Sequence, residues 1–381
     1  MPRSSHIVAL GSKQVSLRRR DFLRSACGVA AAVTGPRQLL GAIPAGRKVV
    51  IVTFGGGARD DETFALEGQR NIPHLINELV PQGTFFTQVV NRGILGHYVA
   101  TASIATGRYE TFNNFVAQPP PAPTVFEYFR KQTRRPASDA WVIAPSNGFR
   151  LMGSSANRDY GSRYGAGVIL PKHLLASSGK STDFEHLLQD SYEMGGAVAA
   201  ASIDRDLSME QLSNTLKLSV DEFRQNAAAL ASPDELSFYV AEQLMRVLAP
   251  SLLFITLHDM DVAHTGAFSL YLTGIQRSDR ICAQLWQSIQ SNPEYKDRTT
   301  LLIMPDFGRD ADGDPGGNGF QHHRTGSPIA RTTWLLALGP GIRQNTTVDR
   351  LVESIDLVPT VGSLMGFDTP RVQGYPISEI T

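Results

Sequence analysis

Five short apolar runs punctuate the chain, and the stretches between them are helical in pattern. The runs are Lys48–Phe54, Ala140–Ala144, Leu252–Leu257, Leu301–Pro305 and Thr333–Leu338. Each is short and rich in β-branched residues, without the polar alternation of a half-exposed strand. They therefore read as strands buried on both faces. Helical patterns cover Asn71–Val80, Val125–Gln132, Ser219–Leu230, Pro233–Val247 and Leu270–Gln290. This alternation predicts an α/β chain, a doubly wound, mostly parallel sheet with helices on both faces. In such sheets ligands bind beyond the carboxyl ends of the strands, so the residues just after each run are the candidates for function.

Those residues are polar and titratable. Gly55-Gly56-Gly57 follows the first run and leads to Arg59, Asp60, Asp61 and Glu62. His258, Asp259, Asp261 and His264 follow the third. Asp306 and Arg309 follow the fourth, and an Asp- and Gly-rich loop then leads to Gln321, His322, His323 and Arg324. Carboxylates and imidazoles at the ends of neighbouring strands suit a divalent metal. The candidate ligands are Asp259, Asp261, His264, Asp306, His322 and His323. His and Asp donors favour zinc or manganese over calcium. Arg59, Arg309 and Arg324 are candidates for holding an anionic group by paired hydrogen bonds.

Composition excludes several other classes. Net charge is +0, which gives no support to nucleic-acid binding. Cys27 and Cys282 are the two cysteines, too few for a disulfide framework or a Cys-rich zinc site. No apolar run approaches the length of a membrane helix. The neutral total conceals an asymmetry. Residues 1–45 carry Arg3, Lys13, Arg18, Arg19, Arg20, Arg24 and Arg37 against Asp21 alone, so the remainder is acidic. Arg19, Arg20, Phe22, Leu23 and Arg24, with the apolar stretch Ala26–Val33 behind them, resemble a twin-arginine signal peptide. That resemblance implies handling by the twin-arginine export machinery, a periplasmic or secreted location, and no stable membrane insertion once the signal is removed. The division expected is a signal and linker over 1–45 and one α/β domain over 46–381. Gln118–Pro123 reads as a stiff connector, and a central insertion or cap is expected over about 118–250.

Several segments resemble the alkaline phosphatase and sulfatase superfamily. Arg70–Val89 (RNIPHLINELVPQGTFFTQV) is similar to the sulfatase stretch TPN-x-x-x-L-x-x-x-G-x-x-F-T-x. Ser103–Tyr109 (SIATGRY) resembles LLTGRY at the close of the nucleophile helix. Leu338–Ile342 (LGPGI), Asp356–Thr360 (DLVPT), Gly366, Gly374 and Ile377 resemble the sulfatase ending. Together these span 47–125 and 250–381. Asp306–Arg309 (DFGR) is closer to twin-arginine-exported families whose strand ends in Glu-Phe-Gly-Arg. The resemblance implies an alkaline phosphatase-like fold, one or two divalent ions, and hydrolysis of small-molecule or polymeric phosphate or sulfate esters.

The superfamily pattern also breaks here. The first-strand Asp that would ligate a metal aligns with Gly55. The nucleophile, normally Ser, Thr or Cys, aligns with His97. The His that should follow Asp306 is Phe307. One metal set thus keeps only Asp306. The other offers Asp261 or Asp259, His264, and His322 or His323. Met260 stands where the family Asp would be. His97 is a candidate ligand or covalent nucleophile. Two functions follow, an exported metal-dependent ester hydrolase or a non-catalytic relative acting in envelope binding or assembly.

Overall fold

The computed structural model describes residues 46–172, 175, 187 and 214–381. The twin-arginine segment lies outside the described residues, as does much of the Gly- and Ser-rich stretch expected to form a cap.

Eight strands form one sheet among the described residues: β1 Lys48–Phe54, β2 Thr84–Val90, β3 Ala140–Ile143, β4 Gly167–Ile169, β5 Leu252–Leu257, β6 Thr299–Pro305, β7 Thr332–Leu338 and β8 Thr346–Glu353. Their spatial order is β4-β3-β5-β1-β6-β7-β2-β8. β7 runs antiparallel to β6 and β2; every other pairing is parallel. Among the described residues the α-helices are α1 His97–Thr106, α2 Val125–Thr133, α3 Val220–Ala228, α4 Pro233–Val247, α5 Phe268–Ser291 and α6 Leu357–Met365.

Side-chain alternation along β1 divides the core in two. Val50, Val52 and Phe54 pack with Leu236 and Leu244 of α4 and with Ile275 and Leu285 of α5. Val49 and Ile51 pack on the other face with Phe126 and Phe129 of α2 and Val358 and Val361 of α6. Both faces of β1 are buried, which is why its sequence is continuously apolar. The mostly parallel sheet with helices on both faces is the architecture expected.

Three strands escape the pattern of the sequence. β2 (TFFTQVV) follows Pro81-Gln82-Gly83 and pairs between β7 and β8. β8 is an edge strand with Arg350 and Leu351 exposed, so it lacks a continuous apolar signal. β4 has only three residues. The helix expected over Asn71–Val80 is instead a set of short turns around a π-helical turn at Leu75–Leu79. Pro73 and Pro81 bracket it, and neither can donate the N–H that a regular helix would need there. Within 118–250, α2 and α4 pack on the main sheet, and β3 and β4 are strands of it.

Candidate metal centre

β5, β1 and β6 are neighbours, and Phe54 is in register with both Leu257 and Pro305. The chain therefore leaves all three strands at one level, releasing Gly55, His258 and Asp306 side by side. A short turn at Asp259–Thr265 follows β5 and carries Asp261 and His264. α1 begins at His97 and brings its ring over the same strand ends. The extended backbone at His322 then returns His323 to the group.

His97 is fully buried. Its Nδ1 lies 2.7 Å from Asp306 Oδ2 and its Nε2 lies 2.9 Å from Asp261 Oδ1. Ionised carboxylates only accept, so both ring nitrogens donate and the ring is an imidazolium. Burial alone would lower its pKa, but Asp261 and Asp306 outweigh that and push it up to about 10. Burial likewise opposes ionisation of Asp261, yet His97, His264 and His258 hold its carboxyl well below the ordinary range. Arg309 adds a second buried cation. Its Nη2 lies 3.1 Å from Asp261 Oδ1, and its Nε donates to the carbonyls of Gly56 and Gly57 at 2.9 and 3.0 Å. Gly56 makes this approach possible. Its φ is +76°, and a Cβ there would lie 2.9 Å from Asp261 Oδ1 and collide with Arg309.

Four residues, His97, Asp261, His264 and His323, each place one ligand atom within 4.8 Å of the others. His323 Nδ1 lies 2.9 Å from the carbonyl oxygen of Leu95. A carbonyl only accepts, so Nδ1 carries the proton and Nε2 keeps its lone pair. Burial, then His97 and Arg309, push the His323 pKa down to about 2, so the ring is neutral. Its Nε2 is 2.8 Å from His264 Nε2, which is 3.1 Å from Asp261 Oδ1. Asp261 Oδ2 is buried and has no hydrogen-bond partner. The imidazole nitrogens of His264 and His323 and Asp261 Oδ1 form a donor set for one divalent ion, while the unpartnered Oδ2 lies 3.6 Å from His258 Nε2. The side chain of His264 is 32% exposed, so the group opens to solvent on that side.

The superfamily's other metal set does not fit. A Cβ at Gly55 would collide with the His258 ring, so that space is filled. Phe307 is fully buried and stacks on His97 with ring centroids 4.9 Å apart. Asp306 Oδ1 already accepts the N–H groups of Gly56 and Phe307, at 3.1 and 2.9 Å.

The remaining candidates lie elsewhere. Asp259 turns away and pairs with Arg277 of α5 at 2.5 Å. His322 is not among the four clustered residues. Arg59 is buried against Glu62 and Asp312. Arg324 is 43% exposed and holds Asp310 at 2.8 Å. Two contributors lie outside the candidate set drawn from sequence. His258 packs edge-on against His97 at 4.8 Å. Asp234, fully buried in the first turn of α4, accepts the N–H groups of His258 and Asp259 at 2.7 and 2.9 Å and so anchors the ligand turn. A Ser-Pro-Asp helix start gives no hint of that distant contact.

No family model and no curated protein matches the sequence. Solved structures do match by shape. Wild-type alkaline phosphatase PafA aligns with TM-score 0.54 at 12% identity, covering 89% of this chain and 99% of that one. A phosphonate monoester hydrolase from Silicibacter pomeroyi aligns with TM-score 0.52 at 14% identity, covering 87% and 76%. A 2-O GAG sulfatase aligns with TM-score 0.52 at 12% identity, covering 87% and 73%. The chain therefore has the fold of the alkaline phosphatase superfamily. It carries a cluster of His and Asp side chains at the carboxyl ends of the central strands. No helix among the described residues is long and apolar enough to cross a membrane.

Proposed function

We propose that this chain is an exported, metal-dependent hydrolase of phosphate or sulfate esters that works without a side-chain nucleophile. The observation that carries the reading is the pair of imidazole nitrogens of His264 and His323, 2.8 Å apart beside Asp261 on the open side of the cluster. His264, His323 and Asp261 would hold a divalent ion there, zinc or manganese by the donor set, and such an ion would supply a Lewis acid for an ester oxygen and for water. The Leu95 carbonyl fixes the His323 ring, and His97 and Arg309 fix Asp261. His97 is a positioning residue in this scheme, because both its nitrogens are committed to carboxylates. Arg324, which follows His323 in the sequence and is partly exposed where it pairs with Asp310, is the group proposed to hold the anion of the ester. The hydrolases that share the fold support this substrate class. The twin-arginine pattern supports export in folded form.

The occupied nitrogens of His97, in the place of a hydroxyl, favour a second reading, a non-catalytic envelope binding or assembly protein. One experiment separates the two. Metal content and ester hydrolysis are measured on the exported protein and on His264→Ala. The hydrolase reading expects a stoichiometric metal and activity, both lost in the variant. Metal without activity on any phosphate or sulfate ester favours the binding protein, and absence of metal from the folded wild type removes the metal centre altogether. Arg324→Met is expected to raise KM about tenfold with less change in kcat, the signature of a lost ground-state contact. Replacing Arg19 and Arg20 by Lys is expected to stop export, read by cell fractionation.

A further inference from the structure

We infer that the ester taken by this site carries a sizeable apolar alcohol, an alkyl chain or an aryl group, held between two exposed apolar patches that flank the His264 and His323 rings. The inference rests on the metal-centre reading above and names the kind of substrate that the centre would accept.

The alcohol half of an ester bound at His264 and His323 has to point outward. His97, Asp261 and Asp306 are buried behind them. Phe307 stacks on the His97 ring with centroids 4.9 Å apart, and Phe149 lies edge-on to His258 at 6.0 Å. The interior of the cluster is packed and has no room for a second group.

What lies outward is apolar on both flanks. His323 is tied to the Leu95 carbonyl at 2.9 Å, and the adjacent Ile94 is exposed. Asn114 sits beside the same turn. Its Oδ1 accepts the N–H groups of Tyr98 and Val99 at 2.9 and 3.3 Å, and its amide fills the space that a Cβ on Gly96 would need. Phe115 and Val116 follow it, and Phe115 is 80% exposed. On the other flank, the turn carrying His264 runs through Gly266 into α5. Phe268, the first residue of α5, is exposed and meets the Phe320 ring edge to face at 5.1 Å. Leu270 is exposed beside it, and Phe320 stands three residues before His323. The two imidazoles, 2.8 Å apart, are where the flanks meet. Single exposed apolar side chains are ordinary, but a group of them around one polar opening marks a binding surface. A sugar ester would call for hydrogen-bonding side chains at this height, and Asn114 Oδ1 is already spent on the backbone of α1.

Kinetics on the zinc-equilibrated full chain test this with n-alkyl phosphates and sulfates from methyl to octyl, beside glucose 6-phosphate and glucose 6-sulfate. For the acid that is cleaved, kcat/KM is expected to rise about threefold per added methylene over the first few carbons. A flat series, or faster cleavage of the glucose ester, overturns the inference. The double variant Phe115→Ser, Phe268→Ser should flatten the rise, and a folded variant that keeps the full slope overturns the inference too. If no ester is cleaved, the hydrolase reading fails, and calorimetry still tests the flanks. Octylphosphonate is expected to bind about tenfold tighter than methylphosphonate or better, and equal or absent binding overturns the inference. Elemental analysis of the same sample reads the metal centre separately, since a folded chain without zinc fails that reading and not this one. A wild-type dimer in sedimentation that the double variant loses would show the patches covering each other between copies, and would overturn the inference as well.

Discussion

Asp261 Oδ1 lies within 3.1 Å of nitrogens from His97, His264 and Arg309. The three contacts differ in burial, and so in what their loss would cost. Asp261→Asn would leave the His97 imidazolium and the Arg309 guanidinium buried without their shared anion. Breaking a buried pair in this way typically costs about 3–5 kcal/mol. His264→Ala removes a partly exposed ring and, against metal-stripped wild type, should cost no more than about 1 kcal/mol, while abolishing metal binding. Urea denaturation of the two variants beside wild type measures the contrast, and similar losses in both would contradict the division into a buried charge group and an open metal side. Much of this group is legible in the sequence, because His97, Asp261, His264, Asp306, Arg309 and His323 all follow strands or open a helix at one end of the sheet. What the sequence cannot give is the direction of each side chain. His322 and His323 are adjacent, and on extended backbone neighbours point to opposite sides, so only one enters the cluster. Arg309 reads as a free anion holder until its fully buried guanidinium is seen facing Asp261.

At the scale of elements, the apolar runs that became β1, β3, β5, β6 and β7 were readable because burial on both faces leaves no polar position. β8 was not, since an edge strand keeps exposed residues among its buried ones. The region between Asn71 and Val80 failed for a different reason. Its apolar spacing is helical, but its backbone is held by a contact no local pattern reveals. Asp279, on the buried side of α5, accepts the N–H groups of His74 and Leu75 at 3.0 and 2.6 Å. Burial outweighs those hydrogen bonds and pushes its pKa up from 3.8 to about 6. Between about pH 3.8 and 6 the folded chain thus holds a proton that the unfolded chain has released. The stability this contributes is fully present below about pH 3.8 and is lost as pH rises through about 6. A shift of that size corresponds to at most about 3 kcal/mol. Asp279→Asn removes the titration, so the stability of the variant minus that of wild type should rise across this window and then level off. A difference that stays flat from pH 4 to pH 7 in denaturant titrations would show that the carboxyl is not held protonated.

For the molecule as a whole, the two packed faces of the sheet, not the ion, hold the fold. Val50, Val52 and Phe54 are locked under α4 and α5, and Val49 and Ile51 under α2 and α6. The buried charges at the strand ends compensate one another, while the proposed ion sits on the side that opens to solvent. Many small metalloproteins unfold when stripped, because metal binding supplies their folding energy. This chain should behave differently. Chelation is expected to remove the ion and any ester hydrolysis while leaving the far-ultraviolet circular dichroism and a single cooperative thermal transition in place. The stability should fall only by the linkage amount, RT ln(1 + [M]/Kd), about 2.7 kcal/mol at a metal concentration one hundred times Kd, and the melting temperature should fall correspondingly. His264→Ala closes the comparison. Its melting temperature should match that of stripped wild type and should not respond to added zinc. If stripping instead abolishes the transition, the ion is part of the folding core, and the internal balance between Asp261, Asp306, His97 and Arg309 does not suffice to hold the strand ends together.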